Sequence, residues 1–439
     1  MEPTSLFPDS YYAGKQVFLT GGTGMLGLAL VCRLIFDTPV ERVYVLVRGG
    51  PSHFWEEVDS HLLKPIATHL RASGKVKILQ GDITEASCGL SDDQVRMIQR
   101  DVSVIVHAAS TIALRKPLPY VLQHIIEPSM ALAQLALGCA HLSKFVYVST
   151  AYVNTFLRCH EGSVTGADAL IKEDIRAIAQ DGLDNPVDEL HRLRSSGSTR
   201  EFDDVRHLST YTYAKHLTER LILGEFSTSG NSSKLLIFRP SVIGPAEVKP
   251  YPFYEKPGSS PSTMVAAGIL ASPPRPLVFS SHLNDPKESR LDEIPVDMVV
   301  NRLIVHTAAG TCGIVHAVAG PECCTSMDKA LVNITALRRF WWGKPTVIWT
   351  DCHWHDPKLW SLARLVTIAG CFFKFEDSKT KQLIDQVSGL DLDHWPLFST
   401  GESSLEHGVA ARRRSLRTLI GQYLSRKYRV PSRFARVLV

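Results

Sequence analysis

Residues 20–27 read Thr20-Gly21-Gly22-Thr23-Gly24-Met25-Leu26-Gly27, and the reading of this stretch decides the fold. It follows the apolar run Val17-Phe18-Leu19 and precedes Leu28-Ala29-Leu30-Val31-Cys32-Arg33-Leu34-Ile35, which has the composition of a helix. Strand, glycine-rich turn, helix is the order in which such a turn cradles the pyrophosphate of a dinucleotide. Gly21 is expected in a backbone conformation closed to residues with a Cβ. Gly24 is expected to let the pyrophosphate reach free N–H groups at the helix start, where the helix dipole favours negative charge. Gly27 is expected to bring helix and sheet close together. An ordinary tight turn before a helix would show the same glycines, so the rest of the chain must decide.

The next apolar run, Val43-Tyr44-Val45-Leu46-Val47, ends in Arg48, and no acidic residue follows it before Gly50. An Asp or Glu near this point suits the ribose 2′-hydroxyl of NAD, whereas an Arg suits the 2′-phosphate of NADP. Arg48 is therefore expected to select NADP(H). A solvated surface arginine is the plainer alternative.

Short apolar runs recur at residues 76–80, 102–106, 144–148 and 235–238, with helix-like segments between them. This alternation predicts an α/β fold, a Rossmann-type doubly wound parallel sheet. Ligands of such sheets bind beyond the carboxyl ends of the strands. Gly21, Arg48, Asp82, Ala108, Thr150 and Pro240 all stand at such ends. The expected cofactor set is the glycine turn with Arg48, Asp82, Ile83, Ala108, Ala109, Pro240, Ser241, Val242 and Lys215. Residues 245–276 are rich in Pro, Ser and Gly and break the alternation. Helix periodicity returns at 294–309, and from about residue 340 the composition shifts to Trp, His and charge. The expected organisation is an NADP-binding domain at 11–245, a substrate-binding region with return elements at 246–330, and a mainly helical C-terminal region at 331–439.

The chain has 439 residues, 44% hydrophobic and 21% charged, which is a globular balance long enough for more than one domain. A net charge of only +4 argues against a nucleic-acid partner. The first residues lack the basic-then-apolar order of a signal peptide, and nine cysteines form no paired framework. An intracellular protein with free thiols is expected, cytoplasmic or peripheral on an organelle membrane. The best candidate for a membrane span, residues 360–373, is short and contains Arg364. Residues 412–436 carry nine Lys and Arg and no acid. They read either as a solvated basic helix or as a surface for anionic lipid, an acidic carrier protein or coenzyme A. Cys352, His353, His355 and Asp356 fit no strong zinc spacing, and no metal is expected.

The second decisive stretch is Ser209-Thr210-Tyr211-Thr212-Tyr213-Ala214-Lys215. Tyr211 and Lys215 are four apart, so on a helix they share one face. Ser209 or Thr210 can cap that helix. A phenol is a weak acid at neutral pH, and a neighbouring ammonium is expected to lower its pKa toward the working range. Thr150 ends a strand, and its hydroxyl is expected to reach a substrate carbonyl oxygen. Ser149 points to the other side of the pleat and is the weaker choice.

These motifs resemble the extended short-chain dehydrogenase/reductase superfamily. The stretches between them resemble the fatty acyl-CoA reductases of the "male sterility" type, akin to thioester-reductase domains. They are Tyr12-Ala-Gly-Lys15, Tyr44-Val-Leu-Val-Arg48, Gly81-Asp-Ile-Thr84, Val146-Tyr-Val-Ser-Thr-Ala-Tyr-Val-Asn154, Phe238-Arg-Pro-Ser-Val-Ile-Gly244 and Ile294-Pro-Val-Asp-Met-Val-Val-Asn301. The resemblance covers residues 11–319 and continues more weakly through 373–378 and 390–396. It implies NADPH-dependent reduction of an acyl thioester, on coenzyme A or an acyl carrier protein, to an aldehyde and on to a primary alcohol. Thr150, Tyr211 and Lys215 would be the catalytic residues, and residues 246–276 would line an acyl tunnel. The same triad would serve a carbonyl or hydroxysteroid-type dehydrogenase, and a non-catalytic dinucleotide sensor is a further alternative. Two departures stand out. Gly22 and Met25 replace the family's usual Ala and Phe. Residues 125–129 read Ile-Ile-Glu-Pro-Ser, where many relatives carry an Asn that helps position the lysine and a relay water.

Overall fold

A computed structural model of the chain describes residues 7–112, 114–158, 170–175, 185–205, 207, 209–281, 289–338, 343–350, 352, 356–369 and 374–428. Seven strands form one parallel sheet: β1 (Gln16–Thr20), β2 (Arg42–Val47), β3 (Val76–Gln80), β4 (Val104–His107), β5 (Lys144–Val148), β6 (Leu235–Pro240) and β10 (Gly313–Ala317). Their spatial order is β10-β6-β5-β4-β1-β2-β3. Helices cover both faces, so residues of the central strands are buried whichever way they point, while edge strand β3 exposes Lys77 and Gln80. That is why the strands read as unbroken apolar runs rather than as alternation. Val17, Phe18 and Leu19 are all fully buried.

Strand order reverses between β1 and β4, and the glycine turn leaves β1 at that switch point. The turn opens α1 (Met25–Asp37), and α2 (Gly50–His61) follows β2. One turn of α-helix (Leu118–Val121) and a π-helical turn (Leu122–Ile126) run into α3 (Glu127–Leu137). α4 (Thr210–Thr228) precedes β6.

Small parallel pairs stand apart from the large sheet. β7 (Val242–Gly244) pairs with β9 (Glu293–Pro295), and β8 (Leu277–Ser280) pairs with β11 (Val347–Thr350). Helix α5 (Pro261–Ala271) precedes β8, and α6 (Val296–Ala308) leads to β10, which returns to the large sheet.

The C-terminal region docks on this body through named contacts. The Arg33 guanidinium lies 4.0 Å from the Trp395 ring centre, and Asn301 donates to the Pro396 carbonyl at 2.8 Å. Its helices include α7 (Ser361–Ala369) and α8 (Arg413–Tyr428), with a further helix at Ser378–Gln386 between them. Arg412 corrects the reading of the basic segment as one surface: it is buried and pairs with the Glu293 carboxylate at 2.9 Å. Arg413 and Arg414 are exposed. Among the described residues no helix is long and apolar enough to cross a membrane. They also hold no cluster that could bind a metal, and His353 and His355 lie outside them.

Candidate active site

The glycine turn is held by contacts that a side chain would break. Gly21 has φ +80°, and a Cβ on it would meet the Ala109 nitrogen at 2.6 Å. A Cβ on Gly27 would stand 2.2 Å from the Gly21 carbonyl oxygen, so α1 packs against the turn only because Gly27 has none. Gly24 is the N-cap of α1 and leaves the helix N–H groups uncovered by a side chain. Gly22 has a local cause: a Cβ there would fall 2.2 Å from Val45 Cγ1 on β2. Its departure from the family's usual Ala is therefore matched to Val45.

Beyond the turn lies a cleft of about 570 Å³. Thr20, Gly21, Thr23, Gly24, Arg48, Asp82, Ile83, Ala108 and Ala109 line it, as the strand-end argument expects. Gly22, Met25, Leu26 and Gly27 do not line it, and Gly22 and Gly27 act through packing. Pro240, Ser241, Val242 and Lys215 also stand outside it, as do Thr150 and Tyr211. The Ser241 hydroxyl donates to Asp292, and Val242 is held in the β7–β9 pair. Sequence reasoning missed Tyr120 and His124, which line the cleft with rings stacked 4.0 Å apart. Their pairing needs the helical turn at 118–126, and no motif signals it.

Tyr211 and Lys215 lie one turn apart on α4, which Ser209 caps by accepting from the Thr212 amide. Lys215 Nζ donates to the Val148 carbonyl at 2.9 Å, at the carboxyl end of β5. It also lies 4.7 Å from the centre of the Tyr147 ring. Thr150 follows Val148 by two residues and is buried, its hydroxyl oxygen accepting from the Tyr152 amide at 3.3 Å. The lysine contact thus brings the Tyr–Lys face of α4 to the strand end that carries Thr150.

A family model for the male sterility protein matches residues 19–303. The chain belongs to this family. Among relatives, it is 27% identical over 313 residues to a putative fatty acyl-CoA reductase of Drosophila melanogaster, covering 69% of this chain and 53% of that protein. It is 28% identical over 303 residues to human fatty acyl-CoA reductase 1, covering 66% of this chain and 54% of that protein. The chain therefore spans about half the length of the curated relatives it matches. The fold is shared with the terminal R domain of the myxalamid PKS-NRPS pathway, at TM-score 0.59 and 17% identity over 92% of this chain and 91% of that one. A reductase domain of a Mycobacterium tuberculosis non-ribosomal peptide synthetase gives TM-score 0.59 and 18% identity over 94% and 92%.

Burial sets the protonation states in this member of the male sterility family. It pushes the Lys215 ammonium down to about 7, against a smaller opposing pull from Glu219. It pushes the Tyr211 phenol above its ordinary value. This differs from the sequence expectation of a phenol lowered by its lysine: loss of water raises it, and the structure shows no lowering by Lys215. The neutral phenol is a proton donor.

His107 is a further residue that sequence reasoning missed. It ends β4, fully buried, with Thr20 Oγ1 at 2.7 Å from Nδ1 and Ser129 Oγ at 3.0 Å from Nε2. Ser129 gives its one proton to the Ile125 carbonyl at 2.6 Å, so His107 Nε2–H donates to Ser129. Nδ1 then accepts from the Thr20 hydroxyl, and Thr20 Oγ1 in turn accepts from the Ala109 amide. Burial, aided by Lys215, holds His107 neutral with its pKa down to about 3. The stretch that departs from the relay-Asn pattern is thus tied through Ser129 and His107 to the first residue of the glycine motif.

Proposed function

We propose that this chain is an NADPH-dependent reductase of acyl thioesters, carried on coenzyme A or an acyl carrier protein. The product is an aldehyde, and a second reduction in the same site gives the primary alcohol. The observation that carries this reading is the Lys215–Val148 bond. It supports a proton-donating tyrosine, a lysine and a strand-end threonine at the same sheet edge as a dinucleotide-sized cleft.

The cradle of Gly21, Gly24 and Ala109 fits the backbone approach of a pyrophosphate, since any Cβ on Gly21 would fill it. Arg48 lines the same cleft, which supports NADPH over NADH. Bound NADPH supplies a hydride to the thioester carbonyl carbon. Tyr211 and Thr150 donate hydrogen bonds to the oxygen on which charge develops, and so act most strongly in the transition state. Tyr211 then gives its proton to that oxygen. The thiohemiacetal breaks its carbon–sulfur bond, releasing an aldehyde and a free thiol. Lys215 holds the ribose and returns a proton to Tyr211. In this reading residues 11–245 carry the cofactor, residues 246–330 face the acyl part, and residues 331–439 complete the structure. Exposed Arg413 and Arg414 would meet the anionic carrier or a lipid surface. Incubating the protein with NADPH and a panel of acyl-CoA and acyl-carrier thioesters tests this. Aldehyde or alcohol formation is the expected result. Reduction of free ketones alone would transfer the assignment to a carbonyl or hydroxysteroid-type dehydrogenase.

A further inference from the structure

We propose that Glu219, clamped by Arg239, is a positioning residue that keeps the proton on Lys215 and so sets the upper pH limit of reduction. The limit on turnover rests on the reductase reading, whereas the protonation of Lys215 can be read without it.

Helical spacing puts three groups in line. Tyr211, Lys215 and Glu219 are four apart on α4, so they share one face that runs inward from the candidate site. The hydrogen bond of Lys215 goes to the Val148 carbonyl. Glu219 acts on the ammonium as a charge one turn away.

Arg239, on β6, fixes where that charge stands. Its Nε donates to one oxygen of Glu219 at 2.9 Å and its Nη2 to the other at 2.5 Å. This is the bidentate pairing that holds a carboxylate in one plane. Both side chains are fully buried. The far side of the guanidinium faces away from α4: Nη1 donates to the Asp174 carbonyl at 3.0 Å and lies 3.5 Å from His316 Nε2. The pair is therefore an oriented dipole, and its two ends act on different neighbours. Burial pushes Lys215 down to about 7, and Glu219 pulls against it. Burial pushes His316 down to about 3, and Arg239 adds to it.

The other titratable groups around Lys215 are neutral. Tyr147 on β5 offers its ring face, and burial raises its phenol well above the ordinary value. His107 on β4 is kept neutral by burial and by Lys215 itself. Burial also keeps the Tyr211 phenol protonated. Among the described residues, Glu219 is thus the charged group that offsets the burial of Lys215. Once Tyr211 has given its proton, only a charged Lys215 can return one. Without Glu219 that supply would fail at a lower pH.

The test follows Lys215 directly, by carbon-13 NMR of its Cε in the full chain, with the signal assigned by its loss in Lys215→Met. Glu219→Gln should lower the titration midpoint from about 7 by roughly one unit or more. It leaves Arg239 buried without its partner, which is destabilising. The double variant Glu219→Leu/Arg239→Met removes both charges together and should give the same shift, so it carries the test if Glu219→Gln does not fold. Glu219→Asp keeps the charge and should hold the midpoint nearer to that of the unchanged protein. NADPH-dependent turnover of each folded variant should change little at about pH 5.5 and fall roughly tenfold at about pH 8. A midpoint that stays in place in a folded variant overturns the proposal, as does a loss of turnover equal at every pH, which would leave the pair a folding role alone. The NMR titration needs no substrate, so failure to reduce any thioester would sink the reductase reading and leave this result standing.

Discussion

Two clefts of this protein are made by opposite means. The cofactor cleft is cut by main chain: Gly21 and Gly27 bring backbone atoms to distances at which any Cβ would collide. A second cleft, beside α8, is cut by side chains, where small residues on α5 face Leu277 and Leu419. A backbone-built site tolerates almost no substitution at its glycines, whereas a side-chain-built site can change width one residue at a time. The first suits an invariant pyrophosphate.

The sharpest test of the reductase side is Tyr211→Phe. It should cut turnover by about 10²–10⁴-fold, the range of a lost general acid, while NADPH binding by fluorescence stays near normal. Near-normal turnover would remove the tyrosine from the chemistry. Next in size is Arg48→Glu, which removes a charge-assisted contact of roughly 1.5–3 kcal/mol. The KM for NADPH should rise about 10- to 100-fold, with far less change for NADH. Equal changes would return Arg48 to the role of a surface residue.

The pH profile follows from the Lys215 value. A buried ammonium with a pKa of about 7 loses its proton as pH rises through that value. Turnover should therefore fall about tenfold per unit above pH 7 if protonated Lys215 supplies Tyr211. In Lys215→Met that limb should disappear along with most of the activity. The sign for stability is the reverse. The unfolded lysine keeps its proton up to about pH 10.5, so Lys215 costs folding least at high pH and most below 7. The smallest expected effect is Gly22→Ala, which places a Cβ against Val45. Overpacking of this kind costs about 1–3 kcal/mol, read as a lower thermal midpoint. Adding Val45→Ala should restore most of the loss, and failure to restore it would deny the pairing.

Much of the cofactor side was legible because its determinants are local. Gly21, Gly24 and Gly27 act within one turn, the strand ends follow from apolar runs, and Tyr211 and Lys215 need only helical spacing. What was hidden depends on residues far apart in sequence. Gly22 answers to Val45 on the neighbouring strand, and His107 is tied to Ser129 across 22 residues. Arg412 looked like one more surface cation, yet it is the buried partner of Glu293, 119 residues away. The expected direction of the Tyr211 pKa failed for the same reason: spacing shows the lysine, but only the packed structure shows the burial that raises the phenol. Ser241 looked like a cofactor contact from its place at a strand end, but Asp292 holds its hydroxyl.

The central claim is that the electrophile is a thioester. One reaction tests it most directly: enzyme in excess of NADPH, saturating long-chain acyl-CoA, and simultaneous readout of NADPH absorbance and free thiol. The account predicts that thiol appears in step with the first hydride, one thiol for each NADPH consumed to aldehyde and one for every two if the alcohol forms. NADPH consumption with no thiol released would contradict it.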